Sequence, residues 1–596
     1  MGLFSRIWEQ MAGSKRGAAP AKHLSERSLH LEPLEDRALL SVTPGAMLTA
    51  PAAADGVMET ADNFARAALT SDTFTDALVP VRAANQTLDR SAALNESKPA
   101  LSWDLANYSD YTTFLIDVIE DQVYLYGRAK EGAPFEVLEH ETFTSGDNIT
   151  VNSDNTARDV TFKPGALMTF SEIFYIGGQT KNDTITLEGT DSSDYFTIDQ
   201  ETRLSDVRER PGKAAAREVV FEKVSTYING NSVTVKMSGT RTIAIDGMAG
   251  DDQFVFLKMG TTYDIKAGDG NDMLDFSRAN SGIKLNLGKT TAQSVISGQK
   301  GKLCLHGDIE NVIGSRLNDS ITTTANTLLV NNGGGSDTIT LVGDESTVTT
   351  VNLVYGSHHR VTGKGNGNFT VYLAQSPKST VNMSSVKSGS LSLDAFTSDH
   401  VRVSGTKGDD IIRIMVGNNA DVQGNDGNDF IEISSSTNAK VQGGKGDDVI
   451  YMMDDVYGKC TIDAGEGNDL VLGGNGNDTI KARSGNNILI GGEGADKITG
   501  GRGRDILIAN TTPADWRYLD YPKLIEYWST GNVEETLKML GEVSIADNRK
   551  DVLKRGSGAG NIFYANTSPS EYDFDTVDCK LDKGDMLFTG QEPGNF

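Results

Sequence analysis

Residues 464–508 divide, without an insertion, into the nine-residue blocks AGEGNDLVL, GGNGNDTIK, ARSGNNILI, GGEGADKIT and GGRGRDILI. Glycine favours positions one, two and four, an acid or amide holds position six, and an aliphatic residue holds position eight. Few folds tolerate such a frame. Glycine at closely spaced positions permits a tight turn with backbone carbonyls turned inward. The Asp then brings a hard oxygen ligand to the end of the turn, and calcium accepts mixed carboxylate and carbonyl oxygens. The last three residues form a short strand whose central aliphatic points to a core. Two blocks close one coil, so each turn meets its spatial neighbour 18 residues away. Stacked carboxylates repel one another, and a divalent cation between them reverses that interaction.

This spacing, GGxGxDxUx, resembles the hemolysin-type calcium-binding repeat (RTX) family. The resemblance implies an all-β fold, a parallel β-roll or β-solenoid that binds Ca2+. Carried onto this chain, the best paired site is Asp478 with Asp496, on turns that include Gly473, Gly474, Gly476, Gly491, Gly492 and Gly494. Asp469 faces Asn487, which faces Asp505; the amide costs each pair one charge, so both are expected to bind more weakly.

Looser copies lie upstream. Turns ending at Asp410, Asp429 and Asp448 start 19 residues apart, and with Asp469 they are expected to form one column. Asp319 and Asp337 are 18 apart, although Leu317 replaces the position-four glycine. Asp252 and Asp272 end two further turns, 20 apart. Residues 177–185 and 190–198 read as degenerate turns, and 551–564 as a terminal repeat without its Asp. The stretch 267–321 resembles a framework of large RTX surface proteins.

The division that follows is 1–42, an export or targeting region; 43–100, a low-complexity, partly helical linker; and 101–240, a β-domain or worn first coils. Then come 241–400, a solenoid with scattered repeat-like turns; 401–509, the calcium-binding roll; and 510–596, a helical insert and terminal cap. Residues 31–42 resemble the LEPR/LEDRxLLS-type motif near the N-termini of planctomycete extracellular proteins, which implies export. A solenoid needs its last coil covered. Thr512, Pro513 and Asp515 give a helix start, and Trp516, Tyr518, Leu519, Leu524, Ile525, Tyr527 and Trp528 give apolar mass bent at Pro522. Asn532 to Glu535 opens a second helix that stops at Gly541.

The formal charge of −27 argues against nucleic acid or an anionic membrane surface as partner. No run of 18 apolar residues marks a membrane span. Cys304, Cys460 and Cys579 are too few for a disulfide framework, though one bridge stays open. Gly282 to Gly288 misses the phosphate-loop spacing by one residue. Glu139-His140-Glu141 reads as an exposed edge, and His358-His359-Arg360 as a solvated loop in preference to a transition-metal site. The expectation is an exported, non-enzymatic, structural or adhesive protein, whose partners are calcium ions and a cell-surface or matrix polysaccharide or protein. The alternative is a polysaccharide-active lyase- or epimerase-like β-helix, with Lys284, Asp308 and Arg360 as candidate catalytic residues.

Overall fold

In the computed structural model, strands of the frame pair in parallel, each with its counterpart one coil away. Leu470 aligns with Ile488 and Ile488 with Ile506, while Thr479 aligns with Lys497 on the other side. Alternate nonapeptides therefore feed opposite walls, and two blocks make one coil. The structure describes residues 101–144, 147–178, 183–205, 217–346, 348–453, 456–511, 519–541, 549–567, 575–578 and 580–589.

These residues form a parallel β-solenoid of about 18 turns. One wall is a 21-stranded sheet; the other begins as an 8-stranded sheet and continues as a 13-stranded sheet. Residues 101–240 resolve into first coils of the same stack with antiparallel excursions. Leu101–Asp104, Asn148–Asn152 and Glu172–Ile176 pair in parallel. Tyr195–Ser205, Arg217–Ile228 and Asn231–Ser238 form an antiparallel run beside them. Glu136–Thr142 is the outermost strand of the 8-stranded sheet, so Glu139, His140 and Glu141 lie on an exposed edge.

The core is the column of position-eight side chains, because parallel register sets like on like. Val471, Leu489 and Leu507 fill one wall and Ile480 and Ile498 the other, all fully buried. Aromatic rungs stack in the same way, Phe196 on Phe254 at 5.4 Å and Phe256 on Phe276 at 4.7 Å. Each buried aliphatic contributes roughly 1.5–3 kcal/mol, so the solenoid is held mainly by these columns.

Among the described residues there are three α-helices: α1 (Pro164–Thr169), α2 (Tyr521–Thr530) and α3 (Val533–Leu540). Pro522 sits in the first turn of α2, where it starts the helix and bends nothing. Asn532 caps α3 by accepting a hydrogen bond from the Glu535 N–H, and α3 ends at Gly541. Thr512 to Tyr518 lie outside the described residues.

The described helices of this module cover the roll from the side. Tyr521, Leu524, Ile525, Trp528, Leu537 and Leu540 pack on the outer face of the 21-stranded sheet, against residues from Phe430 to Ile562. The reason is compositional: here positions seven and nine are also apolar, as in Leu470, Leu472, Ile488, Ile490, Ile506 and Ile508, so the outer face needs covering too. The chain then rejoins the stack, Val552–Lys554 pairing with Lys497–Thr499 and Ile562–Tyr564 with Ile506–Ile508. Arg504 stacks over the Trp528 ring at 4.2 Å. Trp528→Ala should lower unfolding stability by about 3–5 kcal/mol in denaturant titration, since it opens a cavity in this cover. A loss below about 1 kcal/mol would mean the helices are not docked.

Candidate metal centre

Each turn places its position-six side chain inside the coil. In the intact turns Gly492 and Gly494 hold φ of 100° and 133°, a region that glycine enters without strain. At position one, a Cβ on Gly491 would lie 2.4 Å from both Ala509 O and Asp496 Oδ2. On Gly473 it would lie 2.3 Å from Gly491 O and 2.9 Å from Asp478 Oδ2. Glycine is thus required because carboxylate and carbonyl oxygens of adjacent coils converge on the space that a side chain would take.

The position-six residues form two columns. In the first, the Asp410 N–H donates to Asp429 Oδ1 at 2.9 Å, Asp429 to Asp448 at 2.9 Å, and Asp448 to Asp469 at 3.1 Å. Asp469 donates to Asn487 Oδ1 and Asn487 to Asp505 Oδ1, both at 3.0 Å. The four acids expected in one column therefore are in one. In the second, Asp478 donates to Asp496 Oδ1 at 2.7 Å. Upstream, Asp252 donates to Asp272 at 2.9 Å and Asp319 to Asp337 at 2.8 Å. The turn at Leu317 forms without its glycine, since Ser315 Oγ takes the Leu317 N–H and donates to Asp319 Oδ1.

The columns extend beyond the expected residues. Asp496 donates to Asp551 Oδ1 at 2.6 Å and Asp551 to Asp575 Oδ1 at 3.0 Å. Asp505 donates to Asn561 and Asn561 to Asp585, both at 2.8 Å. The glycine-bearing terminal repeat has Asn561 and no Asp at position six, and the block before it supplies Asp551, two residues before Leu553, without the glycines that would reveal it. Asp194 and Glu310 join the Asp252–Asp272 pair in the same way.

A second ladder went unread in the sequence. Position five runs Asp409, Asn428, Asp447, Asn468, Asn486 and Arg504, and from Asn428 onward each N–H donates to the Oδ1 one coil earlier at 2.7–2.9 Å. Position-six bonds run the opposite way, so adjacent coils are stapled in both directions. The recurrent Asn-Asp and Asp-Asp pairs of the sequence carried that signal.

One oxygen of each ligand candidate is thus spent on backbone, and four spend the other as well: Oδ2 of Asp319, Asp410 and Asp505 accepts the Ser315, Thr406 and Gly501 N–H, and that of Asp337 accepts from Asn332 Nδ2. The Oδ2 atoms of Asp252, Asp272, Asp448, Asp469 and Asp478 are buried without a hydrogen-bond partner. Burial raises the pKa of Asp478 to about 7, and burial with the neighbouring Asp272 and Asp194 charges raises that of Asp252 to about 8. Burial, opposed in part by Ser315 hydroxyl bonding, raises Asp319 to about 6. Asp448 and Asp469 are also pushed up, by burial first and then by acidic neighbours. A buried carboxylate with an idle oxygen beside a carbonyl fits a hard divalent cation, which supplies the missing charge and takes oxygen ligands only. At Asn487 an amide supplies the compensation instead, donating to Asp505 Oδ1 at 2.8 Å.

The candidate catalytic residues do not converge. Lys284 and Arg360 occupy one ladder of the 13-stranded sheet with Ser320 and Thr338 between them, and Asp308 follows a strand of the 8-stranded sheet. No helix follows Gly282–Gly288, and Cys304 and Cys460 are free thiols; Cys579 lies outside the described residues. The reading of His358 and His359 as a solvated loop needs correction. His358 is exposed, but His359 stands at position six, 1% exposed, two residues before the core Val361.

The model of the RTX calcium-binding nonapeptide repeat matches this chain over residues 461–480 and 472–507, in four copies. No curated protein matches it. No described helix is long and apolar enough to cross a membrane.

Proposed function

We propose that this chain, which carries RTX calcium-binding nonapeptide repeats, is an exported structural or adhesive protein whose solenoid is completed by extracellular calcium. The observation behind the reading is the set of buried carboxylates Asp252, Asp272, Asp448, Asp469 and Asp478, whose second oxygen has no hydrogen-bond partner in the fold. Asp478 and Asp469, with Asp496, Asp505 and Asn487 stacked on them, would hold ions in the matched repeats. Asp410, Asp429, Asp448, Asp319, Asp337, Asp252 and Asp272 would do so in the looser coils, beside the turn carbonyls of residues such as Gly473, Gly474, Gly476, Gly491, Gly492 and Gly494. Where calcium is scarce, the idle charges oppose folding and leave the chain suited to translocation. At millimolar calcium the weak affinities of extracellular modules, about 10⁻⁴–10⁻³ M, suffice to close the coils. The long regular outer surface is then free for a polysaccharide or protein at the cell surface.

The test joins location to state. Antibody against the full chain should find it in the medium or on the cell surface. The purified chain should resist limited proteolysis in about 10 mM calcium and be digested in chelator or in magnesium. A cytosolic pool, or equal resistance in all three buffers, would defeat the proposal.

A further inference from the structure

On the outer face of the 13-stranded wall, three successive coils of the roll leave a groove of about 260 Å³. It lies over the strands Asp421–Asp426, Lys440–Lys445 and Thr461–Glu466, which pair in parallel. Val422, Val441 and Ile462 are fully buried in the core, so their successors Gln423, Gln442 and Asp463 point outward and form one rail. Asp426, Lys445 and Glu466 form the other. Between the rails stand Gly444 and Gly465, at φ of 136° and 116°. A Cβ there would lie 1.8 Å from Asn425 O and 2.1 Å from Gly444 O. The glycines that the repeat turns require therefore leave this row without side chains. Asn425 precedes them by one coil, and Arg483 follows, its N–H donating to Gly465 O at 2.8 Å.

The charged groups here are mostly paired with one another. Lys445 meets Asp426 at 3.2 Å, and Asp463 Oδ2 takes Lys481 at 3.0 Å and Arg483 at 2.8 Å. The amides of the first rail are not paired. Gln423 and Gln442 are half-buried, and their side chains have no hydrogen-bond partner among the described residues. Asp463 is 7% exposed, and its Oδ1 is likewise buried without a partner. Three groups with unused hydrogen-bonding capacity thus line one side of the groove, at a coil spacing of about 4.8 Å.

We infer that this groove binds an extended, uncharged polysaccharide running along the solenoid axis. Amides donate and accept at once, as sugar hydroxyls do, and one amide per coil falls close to the length of one sugar unit. A hydroxyl entering beside Gln442 supplies the donor that Asp463 Oδ1 lacks. A polyanion is disfavoured, because the lining sets Asp426, Asp463 and Glu466 against Lys445 and Arg483 in a chain of formal charge −27. A peptide strand finds no edge here, since the strands beneath are paired on both sides. Such a glycan is at hand only at the surface location proposed above, so this site rests on that reading and gives it a partner.

The test titrates cellohexaose, mannohexaose and, as the acidic arm, a hyaluronan hexasaccharide into the full chain by calorimetry. The buffer holds about 10 mM calcium, and circular dichroism first shows the chain folded. The expected result is saturable binding of a neutral hexasaccharide and little or none of the acidic one. The double variant Gln423→Ala, Gln442→Ala should weaken binding about tenfold. Thr499→Ala, two coils beyond Asp463 on the same row and outside the groove, should leave it unchanged. Because neither glutamine side chain bonds within the fold, the double variant should keep the urea midpoint of the parent. Shifts of the Gln423 and Gln442 side-chain amide resonances in the unaltered chain give an independent reading. No binding of either neutral sugar by the folded chain, binding of the acidic one alone, or binding indifferent to both glutamines would overturn the inference. Export and closure by calcium would stand in each of those cases, and a cytosolic pool would defeat them without altering this titration.

Discussion

Asp478→Asn and Asp469→Asn should each stabilise the full chain in chelator at pH 8 and shrink the further stabilisation that calcium brings. Both effects come from one cause. In the fold, Oδ1 of Asp478 accepts the Cys460 N–H at 2.7 Å, a role that an amide oxygen fills equally well, as Asn487 does toward Asp469 at 3.0 Å. The idle Oδ2 carries charge into a buried place, and without a cation that charge opposes folding. A rise from 3.8 to about 7 for Asp478 corresponds to a penalty on the order of 4 kcal/mol when the group is ionised. Removing the charge removes that penalty. With calcium near 10 mM and a dissociation constant of 10⁻⁴–10⁻³ M, each occupied site adds about 1.4–2.7 kcal/mol, which the amide forfeits in part. Asp478 and Asp469 stand in different columns, so their effects should be close to additive. Urea titrations of both variants in each buffer decide the matter. If the variants lose stability in chelator, the carboxylates are structural acceptors and nothing more.

The same buried acids set an inverted pH dependence. In chelator the chain should gain stability as pH falls from about 8 toward 4, the reverse of ordinary acid unfolding. The folded-state pKa of Asp252, Asp319 and Asp478 lies above the value of 3.8 taken for an unperturbed Asp, at about 8, 6 and 7. The fold therefore binds protons more tightly than the unfolded chain does. Their favourable contribution is complete below about pH 4 and is lost as pH rises through 6 to 8. In saturating calcium the slope should reverse, because protons now compete with the ion for the same oxygens. Far-ultraviolet circular dichroism against pH, with and without calcium, separates the two regimes. Parallel curves in both buffers would remove calcium from the account. The Asp585 carboxylate moves the other way: its three backbone N–H partners and the Asn561 side-chain amide hold it below the usual range despite burial. Below about pH 4 acids of this kind begin to lose their contribution, and the gain should level off.

Much of this architecture was legible from spacing alone. The nine-residue frame dictated the turn, the inward acid, the core aliphatic and the 18-residue pairing of Asp478 with Asp496, because each is a local consequence of residue type repeated at fixed period. The column of Asp410, Asp429, Asp448 and Asp469 followed from the same arithmetic despite uneven intervals. Asp551 and Asp575 were not legible. Their turns lack glycine, and a helical insertion separates Asp551 from Asp496, so only strand register returns it to the column. The helices were readable as helices, but their place was not. An apolar outer face on Leu470, Ile488 and Ile506 and the cover over it become one surface only when coils stack. His359 shows the same limit: neighbouring histidines look solvated in sequence, and the side chain that enters the core is chosen by which residue falls two places before Val361. Sequence determined what repeats along one coil, where neighbours are close in the chain. Tertiary structure decided what meets between coils, where distance along the chain carries no information about distance in space.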